Sequence, residues 1–330
     1  MSSPSLVTLA DIRRAREATA PHLHHTPMAT SATLSAMTGC RLTLKQELFQ
    51  KTGSFKVRGA LNRLSVLSDD EKRRGVLTVS AGNHAAGVAW AARLYSVPCT
   101  VVMPNHAPRS KLEAVRGYGA EVILNETGFE GIFERVKAIE AERGLLFIPP
   151  FDDPRIIAGQ GVVGLEIVED FPEPDLVVVP IGGGGLMSGV AAAVKAASPG
   201  TRVVGVEPFG ADAMWRSLQS GRPERLERID TLADGLSAPF AGELTFAHVR
   251  ALVDEVVRVT DAEIVAAMRL ILTRCKLLVE PAAAAATAAL LAGRVGGITS
   301  DLRVVAILSG GNVDPERLGG MLSTVPDSAV

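Results

Sequence analysis

Lys56 lies in the run Lys51-Thr52-Gly53-Ser54-Phe55-Lys56-Val57-Arg58-Gly59-Ala60, a polar turn leading into a predicted helix. Most lysines are solvated surface charges. A lysine set between polar turn residues and Arg58-Gly59-Ala60 is placed for different work. Once desolvated enough to lose its proton, its amine can attack a carbonyl to form a Schiff base, then swing off and act as a base. Three glycine-bearing turns offer parts that such chemistry needs. They are Ser80-Ala81-Gly82-Asn83-His84, Gly182-Gly183-Gly184-Gly185 and Ser309-Gly310-Gly311-Asn312, each directly after an apolar run that reads as a buried strand.

The segment Leu176 to Ile181 runs into the four glycines, and a helix is predicted from near Leu186. Glycines let the backbone approach a phosphate, and the amides and dipole of a helix start favour the anion. A dinucleotide site is the main competitor, with Glu207 closing the next strand where a ribose-binding acid would stand. Gly-x-Gly-x-x-Gly fails in every register, because its last position falls on Met187 or Ser188. No Walker lysine followed by Ser or Thr is present either. Ser80 to His84 precedes a helix, so its amides can converge on a carboxylate, although an ordinary helix cap would look the same. One lysine amine, a phosphate cradle and two polar turns at strand ends are the parts needed to hold pyridoxal 5'-phosphate.

The elements that must position these residues alternate along the chain. Strands are predicted over 76–79, 100–103, 121–124 and 146–148, with helices over 85–94, 109–117 and 129–143. A second series has strands over 176–179, 203–206 and 304–308, with helices over 159–169, 187–197, 261–274 and 282–291. Thr8 and Asp11 mark the cap of a first helix running to about Thr19. The alternation predicts an α/β fold with two open, twisted, mostly parallel sheets flanked by helices. Residues 1–64 with 153–330 are expected to form a large cofactor-binding domain and 65–152 a small one. The chain would cross between them near Pro149 to Pro154.

The 330 residues, 47% of them hydrophobic, suffice for two such domains. A net charge of −2 argues for neither nucleic acid nor an anionic membrane surface. The apolar run from Pro281 to Ala292 is too short to span a bilayer. Cys40, Cys99 and Cys275 are scattered and odd in number, which fits a reducing cytoplasm without structural zinc. Met1-Ser2-Ser3-Pro4 has no secretory pattern, and no appended regulatory domain is expected after Val330. His22, His24 and His25 read as a surface or interface turn, since no acid or cysteine stands at ligand spacing.

Together the motifs resemble the threonine/serine dehydratase and serine racemase group of fold-type II pyridoxal-phosphate enzymes, over about Leu9 to Leu322. Ile157-Ala158-Gly159-Gln160-Gly161 and Glu280-Pro281 also look like segments of this group. The resemblance implies that Lys56 holds the cofactor and serves as base at Cα. Phe55 and Glu280 would line the cofactor, Asn83 would bind its 3-hydroxyl, and Ser309 would face its pyridine nitrogen. Gly182, Gly183, Gly184, Gly185 and the Leu186 amide would hold its phosphate. Ser80, Gly82, Asn83 and His84 would take the carboxylate of an amino-acid substrate. A homodimer or homotetramer is implied as well.

A hydroxyl at the ring nitrogen makes a weaker electron sink than a carboxylate would, which favours prompt loss of a β-hydroxyl over a long-lived carbanion. Racemisation needs a second base opposite Lys56. The serine racemase branch has a serine for this before the glycine of the asparagine turn, where this chain has Ala81. Dehydration of L-threonine and L-serine is therefore the expected activity, with another β-hydroxy amino acid such as 3-hydroxyaspartate as the alternative substrate. A dicarboxylate substrate would require an extra cation that the sequence does not locate. A non-catalytic sensor on the same fold fits poorly with intact Lys56 and Ser309. The group's divalent cation, Mg²⁺ or Ca²⁺, would use Glu207 and the Ala211 backbone, but the expected second acid falls at Ala213 and Asp212 is one residue early.

Overall fold

The computed structural model describes residues 4–105, 107, 109–125 and 129–323, so Met1, Ser2, Ser3 and Val330 lie outside the described residues. Strands β1 (Met28–Thr30) and β2 (Arg41–Gln46) pair antiparallel, with Met28 opposite Lys45. Strands β3 (Val76–Val79), β4 (Cys99–Pro104), β5 (Glu121–Asn125) and β6 (Leu146–Phe147) form a sheet of order β5-β4-β3-β6. Strands β7 (Leu176–Pro180), β8 (Arg202–Pro208), β9 (Glu255–Val259) and β10 (Arg303–Leu308) join the first pair in a sheet of order β1-β2-β10-β7-β8-β9. All pairings except β1 with β2 are parallel. This is the α/β architecture of two mostly parallel sheets that the alternating pattern predicts.

Both faces of each sheet are covered, which is why the central strands read as unbroken apolar runs. In β7, Leu176 and Val178 pack with the alanine-rich helix Pro281–Leu291, while Val177 and Val179 pack with helices Pro154–Asp170 and Gly185–Ala197. In the smaller sheet, Val76, Val101 and Met103 face helix Asn83–Leu94, whereas Leu77, Val79 and Val102 face Ile132, Val136 and Ile139.

Three strands escape the pattern. The run Arg41-Leu-Thr-Leu-Lys-Gln of β2 looks half-polar, yet Lys45 and Gln46 are buried, because the Lys45 ammonium bonds Glu166 at 2.6 Å. The edge strands β1 and β9 are short or partly charged. The helix expected from 159 starts at Pro154, with Asp153 capping its Arg155 and Ile156 amides, so the proposed crossing is partly helical. The helix expected over 261–274 is α-helical only to Leu270 and turns to a π-helix over Ile271–Cys275.

Helix Lys56–Ser65 crosses Pro154–Asp170 at Gly59 and Gly159. A Cβ on Gly159 would fall 2.6 Å from the Gly59 Cα, so only glycine allows this approach. The helix that begins with Lys56 is thereby held close against helix Pro154–Asp170.

Candidate active site

Lys56 follows β2 through a tight polar turn. Thr52 and Gly53 are both left-handed, with φ of 62° and 71°. The turn is clamped to the end of β10. Asn312 donates to the Thr52 carbonyl at 2.7 Å, Gly311 N to the Gly53 carbonyl at 2.9 Å, and Phe55 N to the Ser309 carbonyl at 3.1 Å. The Lys56 ammonium donates to the Pro150 carbonyl at 3.1 Å and lies 5.3 Å from the Phe55 ring centre. Burial pushes the Lys56 amine down to about 8, partly opposed by the charge of Glu280. About a tenth of this amine is thus neutral at pH 7, far more than for an ordinary lysine.

The four glycines leave the end of β7 beside β10. Gly184 has φ of 91° and caps helix Gly185–Ala197 without a side-chain acceptor, so the first-turn amides are open to an anion. A Cβ on Gly183 would lie 2.2–2.4 Å from the Phe151 ring, and one on Gly184 2.9 Å from Met214 and Thr245. The wall behind the cradle is full, so any larger residue would move into the cradle or displace the wall. Asp152 holds that wall by accepting from the Leu244 and Thr245 amides, each at 3.0 Å.

The turn after β3 also opens a helix without a side-chain cap. Gly82 N donates to Ser80 Oγ at 3.1 Å, which leaves the Ser80 hydroxyl proton available. The His84 ring donates through Nε2 to the Ile148 carbonyl at 3.2 Å, so Nδ1 is a bare acceptor. Burial, with the nearby Lys56, pulls His84 down to about 3, and the ring is neutral. At this position only the backbone amide suits a carboxylate. Asn83 donates to Glu280 at 2.7 Å and accepts from Asn312 at 2.9 Å, leaving one amide hydrogen uncommitted. Burial raises Glu280 to about 7 despite nearby Lys111, and its Oε2 has no partner.

These groups line one cavity of about 570 Å³. Phe55, Lys56, Ser80, Gly82, Asn83, His84, Gly182, Gly183, Gly184, Gly185, Leu186, Glu280 and Ser309 all face it. Glu207 and Ala211 do not. Both Glu207 oxygens accept helix amides, from Met214 at 3.0 Å and Trp215 at 2.7 Å, and burial raises the acid to about 8. Asp212 is committed to Arg216 and Arg258 at 2.7 and 2.8 Å. Among the described residues no cluster of three or more His, Cys, Asp or Glu stands ready for a metal. His25 pairs with Asp170 at 2.7 Å.

The cavity also has walls that the sequence motifs did not indicate. Ile132, Phe133, Phe147 and Phe240 supply an apolar side, and Lys111 and Asp234 a charged one. They come from helices and loops far apart in sequence, and nothing local in the chain marks them.

The model of the family described as pyridoxal-phosphate dependent enzyme matches residues 19–310. The chain is 45% identical over 318 residues to the L-threonine ammonia-lyase of Thermotoga maritima, covering 96% of this chain and 79% of that one. It is 43% identical to the catabolic L-threonine dehydratase TdcB of Escherichia coli K12, covering 94% and 95%. The structure of maize serine racemase superposes with a TM-score of 0.92 at 41% identity, over 97% of this chain and 98% of that one. Among the described residues no helix is long and apolar enough to cross a membrane. The chain belongs to the family of pyridoxal-phosphate dependent enzymes.

Proposed function

We propose that this protein eliminates water from L-threonine and L-serine and releases the 2-oxo acid and ammonia. One observation carries the reading: a lysine amine with its pKa lowered to about 8 faces the same cavity as a backed glycine cradle and an uncapped helix start. The residues fit the cofactor, since the cradle has open amides and no room for side chains. Pyridoxal phosphate, when bound, supplies an aldehyde for the amine and a ring that draws off the electron pair left at Cα. Lys56 would hold it and then take the Cα proton. Gly182, Gly183, Gly184, Gly185 and the Leu186 amide would hold its phosphate, Ser309 would face its ring nitrogen, and Asn83 would offer the free amide hydrogen to its 3-hydroxyl. Ser80, Gly82 and the His84 amide orient the substrate carboxylate. Water lost in elimination returns on hydrolysis, so the net products of threonine are 2-oxobutyrate and ammonia.

Ala81 lines the cavity and carries no titratable group, which favours elimination over the reaction named for the maize structure. The two dehydratase-type relatives support the same choice. The reading places the enzyme in the cytoplasm as a homodimer or homotetramer. Residues 1–64 and 153–330 serve as the cofactor domain, and 65–152 as the smaller one. Ammonia and 2-oxo acid release from serine, threonine and 3-hydroxyaspartate, with D-serine followed in parallel, tests it. Lys56→Ala should abolish both product formation and the visible absorption of the bound cofactor. Retention of either, or rapid D-serine formation, contradicts the reading.

A further inference from the structure

Besides Lys56, the described lining of the cavity contains one further cation, Lys111. It projects from helix Arg109–Gly117, which packs on the smaller sheet, and its side chain is 11% exposed. Its Nζ and Cδ lie 3.1 and 3.0 Å from the place a Cβ on Gly82 would occupy, so it borders the carboxylate turn. Its partner is Asp234, at 2.9 Å, on a turn that belongs to the larger sheet's side. That turn also backs the glycine cradle: a Cβ on Gly182 would sit 3.1 Å from the Leu236 Cα. Arg317 stands 3.7 Å from the same Asp234 oxygen, and Ser110 bonds Asp314 beside it.

We propose that the Lys111–Asp234 pair determines substrate charge selectivity by committing the cavity's second cation to a carboxylate of the protein. A substrate with one carboxylate is served by the turn at Ser80 to His84. A second carboxylate on the β-carbon meets a lysine whose charge is already paired with Asp234, so the cavity offers it no free cation. The pair also spans the two sides of the cavity. The inference rests on the dehydratase reading and specifies its substrate class, as β-hydroxy amino acids with an uncharged side chain.

The test compares kcat/KM of the holoenzyme for L-threonine and for L-threo-3-hydroxyaspartate. Asp234→Asn frees Lys111 and should raise the hydroxyaspartate-to-threonine ratio at least tenfold, chiefly through a lower KM for the dicarboxylate. Lys111→Met in the same background should cancel the gain, and Asp234→Glu should keep the wild-type ratio. Independently, Lys111→Gln leaves Asp234 with only the more distant Arg317, at 3.7 Å, and should raise the inhibition constant of malonate severalfold more than that of propionate. An unchanged ratio in Asp234→Asn, a gain that survives Lys111→Met, or equal effects on both inhibitors overturns the proposal. Where Asp234→Asn does not fold, the inhibitor comparison decides alone. Failure of wild-type enzyme to release ammonia from threonine would instead overturn the dehydratase reading, so the two failures are distinguishable.

Discussion

Replacement of Arg58 by methionine should cost far more than any surface change. Arg58 lies two residues beyond Lys56, is 1% exposed, and sits between two buried carboxylates. Its guanidinium reaches Glu47 through two bonds of 2.8 Å and Glu166 through bonds of 2.7 and 2.9 Å. Lys45 completes a balanced set of two cations and two anions. Methionine fills much of the arginine stem but leaves both carboxylates to one lysine. Breaking a buried pair in this way costs about 3–5 kcal/mol. At roughly 2.1 cal/mol/K per residue, the unfolding entropy of 330 residues is about 0.7 kcal/mol/K, so the loss corresponds to a Tm drop of about 4–7 °C. Burial raises the Glu166 carboxyl, but Arg58 and Lys45 together bring it below its ordinary 4.5. A depressed acid contributes stability above its unfolded value and loses it as pH falls through the folded one. The variant's deficit relative to the native chain should therefore be greatest near neutral pH and shrink as pH falls and the carboxyls protonate. Thermal and pH unfolding followed by circular dichroism measure both effects. Glu47→Gln in the variant should restore part of the loss. A drop below about 1 kcal/mol, or no recovery with Glu47→Gln, would refute the charge argument in favour of plain packing.

Gly183→Ala should weaken cofactor binding and cost about 1–3 kcal/mol by driving a methyl into the Phe151 ring, whereas Gly200→Ala, with nothing within 4 Å, should be neutral; cofactor titration and Tm decide. Asp152→Ala removes the acceptor for two amides at the start of helix Glu243–Leu252 and should cost about 0.5–2 kcal/mol together with phosphate affinity, read from free-phosphate competition. Capture of pyridoxal phosphate by the apoenzyme should accelerate as pH rises through about 8, because the neutral amine is the nucleophile and burial favours it. A stopped-flow midpoint near the ordinary lysine value of 10.5 would show that burial does not act on Lys56.

Most of the cavity was legible because its parts are local. A glycine run after an apolar strand, or a lysine after a polar turn, announces a strand end wherever it occurs. In a parallel sheet those ends gather at one edge. Here β10 lies between β2 and β7, so the Lys56 turn, the Ser309 turn and the glycine cradle become neighbours. The sheets themselves were readable for a related reason. Strands covered on both faces must be continuous runs of apolar residues, and β7 and β10 are. Strand β2 was not, because its polar residues are buried by pairing rather than exposed. Nothing in Arg41 to Gln46 reveals that Glu166 waits for Lys45.

The same distinction separates the residues that make the site from those that tune it. Asn83 and Glu280 are 197 positions apart, Lys111 and Asp234 are 123, and Asp152 caps a helix more than 90 positions away. Each is an ordinary polar residue in its local setting, and its role exists only once segments far apart in the chain are brought together. Such pairings need not be encoded by spacing. They need only a partner of opposite charge at the right point on a surface that many other residues determine. Glu207 shows the converse. Its position at a strand end suggested a ligand for a metal or a ribose, yet helix Ala213–Ser220 directs two amides at it. A buried carboxyl whose two oxygens accept backbone amides also has a structural part to play, and that part depends on where the next helix starts. Local motifs therefore predict which chemistry a cavity can host. Substrate choice depends on long-range pairs such as Lys111 with Asp234, where the folded structure is required.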